Sequence, residues 1–579
     1  MAGSSLLVAA IDFGTTYSGW AFSFKHEFER DATKVSAKNW TGGQLVSLKG
    51  PTCALIEPDG ETLHSFGYEA ESKYADLACD SEHGGWYFFK RFKMNLFGQG
   101  FGRNLMLEDA SGRKKLLAKT VFSLSIKYLK DDLIKLSESR IAGGGLQDTD
   151  IHWVLTVPAI WNDAAKQFMR EAAQQAGISG DMLTIALEPE AASLYCRHLP
   201  VEKCGSGKTS LAAFGPGKRY LVLDAGGGTV DITVHEVMSG GHLKELDKAS
   251  GGAWGGVQVD DAFFRFLNEI AGPGPDVMPM FRDKNMEDYL ELFRDFEVKK
   301  REIGPKKDTK ITFRIPAALS DTVMEMRDQP LQDVIKKTKF SSKVKLMGDK
   351  LRVDAAVVKG FFEPSIESIV KHVKGLLQNS STIEALRLLM VGGFSESPML
   401  QETVRSRFPD LRIIVPDEAG LAVLKGAVIY GHSPTTISQR VSKFTYGTDV
   451  SQVFDADRHP FARMKLTDTE VRCENVFSKL AEAGQILEVG QAQDEQTYTT
   501  INETQTEMGM NIYATTDKNP GFIDDVGCYK IGTFSVPVSG SGAGREVTVK
   551  MIFGGTEIDV ECTEKATEKI THLKVDFLS

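Results

Sequence analysis

Two segments of the sequence repeat one arrangement of residues that suits the binding of phosphate groups. Leu7–Thr16 and Tyr220–Thr229 each contain an apolar stretch that ends in an aspartate and continues into glycine and threonine. Glycine lets backbone N–H groups approach a polyphosphate closely because no Cβ intervenes, and threonine hydroxyls donate to phosphate oxygens. A carboxylate repels phosphate but can hold Mg²⁺ or its waters, which bridge the two. The paired segments therefore predict a metal–nucleotide site in a cleft between two related lobes.

Three carboxylates, Asp12, Asp224 and Asp231, are the predicted holders of the magnesium ion, mostly through water molecules. The residues predicted to surround the phosphates are Gly14, Thr15, Thr16, Tyr17, Gly226, Gly227, Gly228 and Thr229. The alternative is that both segments are ordinary β-turns, in which glycine and aspartate are common. The recurrence of the whole arrangement at the start of two α/β halves favours the site over that alternative.

The elements that must position these residues alternate between strand and helix over the first three-quarters of the chain. Branched apolar runs predict central strands, buried on both faces, at Leu6–Ile11, Ile151–Val157, Tyr220–Leu223 and Leu388–Val391. Apolar residues at helical spacing predict a helix over Asn162–Ala176, with Asn162 as its N-cap and Gly177 after its end. The sequence thus predicts an α/β fold in residues 1–432, with duplicated lobes at about 1–200 and 201–432.

The character of the sequence changes after about residue 431, where short strands and glycine-rich turns dominate. Residues 441–579 are predicted to form a smaller β-rich module. Its predicted strands are Thr497–Ile501, Asn511–Ala514, Thr533–Pro537, Val547–Phe553 and Thr556–Cys562. Only Val476–Ala483 has a pattern typical of a helix in this part of the chain.

The composition of the 579-residue chain excludes several classes of protein. Hydrophobic residues make up 42% and charged residues 25%, which excludes a wholly disordered or collagenous chain. A net charge of −10 argues against nucleic acid as the main partner. No apolar run approaches the ~18 to 20 residues that span a bilayer, and the seven cysteines lack a C-x-x-C pair, as in a reducing compartment. We expect a cytoplasmic protein with small-molecule or protein partners and no transmembrane segment.

Further motifs, in a fixed order, extend the two phosphate segments into a resemblance to a known family. These motifs are Thr156–Asp163, Glu188–Ala192, Val391–Pro398 and Pro416–Ala419. Together with Ile11–Ser18 and Leu223–Asp231 they resemble the motifs of the actin, sugar-kinase and 70-kDa heat-shock protein ATPase superfamily, and specifically its heat-shock branch. Phe444–Gly447 and the short β-rich tail are similar to the divergent 12A/12B group of that branch. The resemblance covers about residues 5–432 and implies a two-lobed ATPase domain, followed by a truncated substrate-binding domain without a helical lid.

The resemblance also implies roles for individual residues. Lys90 matches the family's catalytic lysine, which reaches the γ-phosphate and the attacking water. Asp12 and Asp231 would orient that water, with Asp224 beside them. Glu188 would sense the metal–nucleotide state. The residues implied at the adenosine end are Glu297, Lys300, Arg301, Gly392, Gly393, Phe394, Glu396 and Asp417.

The sequence therefore predicts an ATP- or ADP-binding, chaperone-like protein with weak Mg²⁺-dependent ATP hydrolysis and a C-terminal module that binds a protein partner. Two departures from the family pattern keep an alternative open, a nucleotide-dependent scaffold without meaningful catalysis. Glu396 stands where the family carries a second arginine against adenine, and Arg440–Val450 lacks the family's acidic, leucine-rich linker. A third possibility is a small-molecule kinase, for which no aspartate base can be placed. Composition alone would make Lys90 one of a solvated pair of cations, and Glu297 part of a surface ion pair.

Overall fold

The structure, a computed structural model, describes residues 5–42, 45–98, 100–140, 145–199, 214–379, 387–466, 470–493, 495–500, 503–553 and 556–578. Over these ranges the chain forms two lobes and a β-rich module that packs against them. None of the helices in this part of the chain combines the length and the apolar character that a membrane crossing requires.

The first lobe is built on a mixed sheet whose central strand carries the first phosphate segment. In order across the sheet, the strands are Leu183–Leu187, Ile151–Val157, Leu7–Asp12, Tyr17–Phe24 and Ser36–Ala37, and Gly50–Pro51 also pairs with Tyr17–Phe24. Leu7–Asp12 is buried on both faces, since the helices Ala118–Glu138 and Ala422–His432 cover opposite sides of the sheet. The other elements of this lobe are helices Lys25–Phe28, Tyr68–Cys79, Asp163–Gln175 and Glu188–His198, and strands Trp40–Gly42, Leu45–Ser47, Cys53–Ile56, Leu63–Phe66, Tyr87–Lys90, Met106–Glu108 and Lys115–Leu117.

The second lobe repeats this arrangement around the second phosphate segment. Its sheet has the order Arg412–Ile414, Arg387–Val391, Arg219–Ala225, Val230–Val237, Leu243–Gly252, Ile437–Val441 and Ile486–Glu488. Arg219–Ala225 runs antiparallel to Val230–Val237 and parallel to Arg387–Val391, and Leu7–Asp12 has the same two kinds of neighbour in the first lobe. The predicted duplicated α/β fold is therefore confirmed. The other elements are helices Val257–Ile270, Val277–Lys284, Met286–Lys300, Ala317–Arg327, Leu331–Lys336, Ala355–Gly360, Glu363–Asn379 and Pro398–Arg407, and strands Ile311–Arg314, Val344–Met347 and Lys350–Val353.

The helix that was predicted from its apolar spacing and its caps is present. It spans Asp163–Gln175, and the Asn162 side chain accepts a hydrogen bond from the Ala165 N–H at 2.9 Å. Gly177, just beyond the helix, has a φ of +85°, which glycine adopts without steric cost. The local signals at both ends of this helix are therefore sufficient to place it.

The C-terminal module consists of two antiparallel sheets that pack face to face. One sheet has the order Met464–Leu466, Val471–Ala481, Thr445–Val453, Glu507–Thr515 and Tyr529–Pro537, and the other Gln496–Thr499, Glu546–Ile552, Asp559–Glu564 and Lys569–Lys574. Side chains from both sheets, among them Ile512, Phe534, Val547 and Val560, form one apolar core. The predicted β-rich character of this region is confirmed.

The helix predicted at Val476–Ala483 is wrong, because these residues belong to the strand Val471–Ala481. Cys473, Phe477 and Ala481 are the buried positions of that strand, and their spacing of four resembles a helix. A spacing of four fits a strand, whose side-chain period is two, as well as it fits a helix. The pairing with Thr445–Val453 is also interrupted by two register shifts, and such irregularities disturb the strict alternation that identifies a strand.

The module is joined to the second lobe by strand pairing, and the strand that precedes the module is held to the first lobe by a buried ion pair. Ile486–Glu488 pairs antiparallel with Ile437–Val441, which in turn pairs parallel with Leu243–Gly252. Arg440 donates to both carboxylate oxygens of Glu190, at 2.8 and 2.6 Å, and both side chains are buried. The residues that precede the module thus form an internal strand of the second lobe's sheet, held to the helix Glu188–His198.

The module also contacts the first lobe through residues 575–578. Asp576 accepts hydrogen bonds from the Arg103 guanidinium at 2.8 and 3.0 Å, and Leu578 is buried in the core of the first lobe. Arg170, on the helix Asp163–Gln175, pairs with Glu557 of the module. The module is therefore held to both lobes by polar and apolar contacts.

A buried carboxyl group next to this junction predicts a pH-dependent stability. The Glu245 carboxyl accepts from the Val441 N–H at 2.9 Å, and burial, reinforced by the charge of Glu190, raises its pKa to about 8 from an ordinary 4.5. The unfolded chain loses this proton at lower pH than the folded chain does, so stability falls as the pH rises between these two values. Glu245→Gln, which mimics the protonated acid, is expected to gain a few degrees in melting temperature relative to wild type between pH 5 and pH 9. A difference that stays constant over that range would contradict this assignment.

Candidate functional site: a cleft between the lobes

The two phosphate hairpins lie against each other at one end of a cavity of about 560 Å³ between the lobes. The predicted residues that line it are Asp12, Gly14, Thr15, Thr16, Tyr17, Glu188, Asp224, Gly226, Gly227, Gly228, Thr229, Glu297, Lys300, Arg301, Gly392, Gly393, Phe394, Glu396 and Asp417. Lys90 and Asp231 are not among the residues that line the cavity. The fold thus brings together residues from segments that are hundreds of positions apart in the chain.

The glycines of the second hairpin are required because threonines of the first hairpin lie against them. A Cβ at Gly227 would lie 2.1 Å from Thr16 Oγ1, and a Cβ at Gly228 would lie 2.5 Å from Thr15 Oγ1. Any larger residue would push the hairpins apart. Bare backbone and hydroxyl groups therefore converge on one end of the cavity, as a polyphosphate requires.

Two lysines lie among the carboxylates at this end. Lys93 Nζ is 2.7 Å from Glu188 Oε1, and Lys49 Nζ is 2.5 Å from Asp12 Oδ2. Burial raises the pKa of Glu188 to about 7, against the opposing charge of Lys93. Burial would also raise the pKa of Asp12, but the ammonium groups of Lys49 and Lys93 outweigh it and hold that pKa below its usual value. Sequence analysis missed both lysines.

The structure places Lys90 outside the cavity and Lys93 in its lining. The Lys90 ammonium group is 2.9 Å from Glu71 Oε1, outside the cavity, while the Lys93 side chain is almost completely buried and lines the cavity. The reason is local: the strand Tyr87–Lys90 ends at a left-handed turn at Arg91, with a φ of +56°, and the following 3₁₀ helix directs Lys93 inward. Lys90 and Lys93 are only three positions apart in the sequence. The left-handed turn between them contains no glycine, so the sequence gives no signal of it.

Asp231 pairs with Asp224 across the second hairpin but does not itself line the cavity. Its carboxylate accepts a hydrogen bond from the Ile160 N–H at 2.9 Å, so it links the second lobe to the first behind the cavity wall. Burial raises its pKa, and the hydrogen bonds from Ile160 and Thr229 oppose that shift. For Asp231 to orient the attacking water, its carboxylate would have to act from behind the residues that line the cavity.

The carboxylates present suit a magnesium ion that is held through its water shell. Among the described residues, no three histidine, cysteine, aspartate or glutamate side chains are arranged to bind a metal directly. Asp224 Oδ2 is nevertheless buried without a hydrogen-bond partner in this part of the chain, and burial together with Glu188 raises the pKa of its carboxyl well above the usual value. A hydrated cation between Asp224 and a phosphate would satisfy this oxygen and favour its ionised form.

The other end of the cavity has the mixed character expected for a nucleoside. Glu297 accepts from Arg301 at 2.8 Å and also pairs with Lys300. The Arg301 guanidinium lies over the ring of Tyr17, 5.3 Å from its centroid. Phe394 is largely buried there beside the backbone of Gly256, which leaves little room beyond its ring.

Glu396, by contrast, is exposed at the mouth of the cavity. Its Oε1 accepts from the Gly420 N–H at 2.9 Å, so the carboxylate is held in place by the backbone of the opposite loop. The site therefore presents a fixed negative charge at the position where the family pattern has an arginine.

Arg91 closes the cleft from the first lobe to the second. Its guanidinium is 2.5 Å from Asp260 Oδ2, and Lys300 pairs with the other oxygen of Asp260 at 2.6 Å. Arg91→Met is expected to speed the release of a fluorescent ADP analogue about tenfold, because a charge-assisted bond across the cleft is lost while Asp260 keeps Lys300. Lys284→Met, which breaks the exposed pair with Glu325 within the second lobe, is the control. Equal release rates from both variants in stopped-flow experiments would show that Arg91 does not restrain the lobes.

A duplicated fold with an Asp–Gly–Thr hairpin in each lobe, and a cavity between the lobes, defines the class of the two-lobed actin-like ATPases. A profile of the Hsp70 protein family matches residues 133–575 of this chain. The chain is 35% identical to heat shock 70 kDa protein 12A of Mus musculus, over 99% of this chain and 92% of that protein. It is 33% identical to heat shock 70 kDa protein 12B of Homo sapiens, over 99% of this chain and 91% of that protein. The chain belongs to the Hsp70 family.

Proposed function

We propose that the cleft binds ATP or ADP with Mg²⁺ and that the protein slowly hydrolyses the γ-phosphate of ATP. The observation that carries this proposal is the placement of Lys93 and Lys49 among the carboxylates, directly beside the paired glycine and threonine hairpins. Phosphoryl transfer depends mainly on position and on charge stabilisation, and this end of the cavity supplies both. When bound, the magnesium ion would neutralise charge on the phosphate oxygens.

Individual residues of the cleft would have distinct roles in nucleotide binding and hydrolysis. The hydroxyl groups of Thr15, Thr16 and Thr229 would donate hydrogen bonds to phosphate oxygens, while Lys93 would place an ammonium group where negative charge develops on the transferred group. Glu188, with its raised pKa, is poised to accept a proton from the attacking water at about neutral pH. We propose Asp224 as the carboxylate that faces the hydrated metal.

Two experiments separate this proposal from its alternatives. Calorimetric titration of the full chain with ADP, ATP and GDP, with and without Mg²⁺, is expected to show binding of the adenine nucleotides. Single-turnover hydrolysis is then expected to release inorganic phosphate. Absence of any nucleotide binding would contradict the proposal, and phosphate transfer to a metabolite would revive the small-molecule kinase.

The scaffold without meaningful catalysis is supported by Glu396, whose fixed carboxylate replaces a cation at the mouth of the cavity. It predicts ADP and ATP binding with turnover no faster than in an Asp12→Asn control. Single-turnover rates of the two proteins, measured side by side, decide between the two functions.

We further propose that residues 441–579 form a module distinct from the nucleotide-binding residues 1–432, and that this module binds a protein partner in a chaperone-like manner in the cytoplasm. Val453, Phe461, Met464 and Leu466 support this, because these apolar side chains are exposed together near one edge strand of the module. Phe461→Ser with Leu466→Ser is expected to weaken the binding of an extended apolar peptide at least tenfold in fluorescence anisotropy. Ile570→Ser, an exposed apolar position on the other sheet, is the control, and equal binding by both variants would contradict the proposal.

A further inference from the structure

Lys49 belongs to a segment that no sequence motif marks, yet this segment is fixed beside the first phosphate hairpin. Gly50 and Pro51 pair with Ser18 and Tyr17 as a short antiparallel strand. The Thr52 N–H donates to the Thr16 carbonyl oxygen at 2.8 Å, and the next strand follows directly. The backbone of Lys49 is therefore held in register with the residues that would contact the phosphates.

The Lys49 side chain reaches from this segment into the cleft. It is only 15% exposed, it lines the cavity, and its Nζ is 2.5 Å from Asp12 Oδ2. The other oxygen of Asp12 accepts from Thr156 Oγ1 at 2.9 Å. Both oxygens of Asp12 are thus already engaged by donors of this chain, whereas Asp224, on the opposite wall, has a buried oxygen without a partner among the described residues.

An ammonium group has three N–H donors. Lys49 uses one on Asp12, which leaves two for phosphate oxygens in the cavity that it lines. In a site of reduced dielectric, a fixed cation beside a polyphosphate contributes more than it would in water. Lys93, paired with Glu188, supplies a second such cation on the same lobe.

We propose that Lys49 is a built-in cation of the phosphate site, which contacts the β-phosphate of the bound nucleotide and makes nucleotide binding largely independent of a divalent metal. This inference rests on the proposed nucleotide site and extends it. Asp12, neutralised by Lys49, then serves to hold the lysine in place, and the water-mediated contacts of a magnesium ion belong to Asp224. Hydrolysis can still require the metal, because charge stabilisation in the transition state differs from binding.

The test is calorimetric titration of the full chain with ADP, in Mg²⁺ and in EDTA. The wild-type dissociation constant is expected to differ less than about fivefold between the two conditions. Lys49→Met is expected to weaken binding about 10- to 100-fold in EDTA, the range for loss of hydrogen bonds to a charged group, and clearly less in Mg²⁺. Binding in Mg²⁺ also shows that the variant is folded. Lys49→Arg, which keeps the charge, is expected to retain most of the affinity in EDTA.

Lys38→Met is the matched control, since Lys38 pairs with Asp132 in the same lobe outside the cavity. A decrease of more than about fivefold in the ADP affinity of the wild type when EDTA replaces Mg²⁺ would overturn the inference, which predicts little metal dependence. An equal decrease in the ADP affinity of Lys49→Met in Mg²⁺ and in EDTA would also overturn the inference, because it would indicate a structural role for Lys49. Either of these two results would leave the proposed nucleotide site unaffected. Absence of ADP binding by the wild type in both conditions would instead refute the proposed function, and the inference with it.

Discussion

The Lys93→Met protein is expected to hydrolyse bound ATP at least about 100-fold more slowly than the wild type in a single turnover, a loss of about 2.7 kcal/mol of transition-state stabilisation. Lys93 is the cation next to Glu188 at the phosphate end, and its side chain is only 2% exposed. A cation in a site with little water stabilises the charge that develops on the transferred phosphoryl group, and methionine keeps the shape of the side chain without that charge.

Lys90→Met provides a matched control in the same segment. Lys90 contacts Glu71 outside the cavity, and Glu71 is also paired with Arg294, so its charge remains compensated in the variant. Its single-turnover rate is expected to stay within about threefold of the wild type, because no contact of the phosphate end is removed. A large loss for Lys90→Met together with a normal rate for Lys93→Met would reverse the assignment. Similar rates for both variants and the wild type would favour the scaffold.

Breaking the buried pair of Arg440 and Glu190 is expected to have the largest effect on stability. Glu190→Gln leaves the Arg440 guanidinium buried without its counter-charge, which typically lowers the free energy of unfolding by about 3–5 kcal/mol. The two side chains are 3% and 7% exposed, so water cannot replace the lost partner. Urea unfolding of the wild type and of Glu190→Gln measures this loss in the free energy of unfolding.

The double variant Glu190→Leu with Arg440→Leu makes this test specific. Because an apolar pair of similar volume removes both buried charges at once, it is expected to recover most of the stability that Glu190→Gln loses. Lys339→Met, which breaks an exposed pair with Glu269, is the control and is expected to change little. If the double variant were as unstable as the single one, the junction would depend on the geometry of the hydrogen bonds and not on charge compensation.

Much of the site could be predicted because its parts are local in the chain. The glycines and threonines of the hairpins follow directly on apolar strands, and the turn chemistry that presents them is contained within a few residues. The same holds for the helix that begins after Asn162, whose capping signals are adjacent to its first turn. The helix predicted at Val476–Ala483 was wrong, because a spacing of four fits a helix or a strand, and the pairing with Thr445–Val453 that decides between them is not visible in the local sequence.

The sequence by itself determined the duplicated fold and the glycine, threonine and aspartate groups of the cleft, because strand burial, turns and caps depend on near neighbours. Only the tertiary structure decided which cations serve that cleft. A left-handed turn at Arg91 sends Lys93 inward and Lys90 outward, and strand pairing with Tyr17 and Ser18 brings Lys49 to Asp12. Which lysines point into the cleft depends on the relative positions of segments that are far apart in the chain. The packing of the two lobes sets these positions.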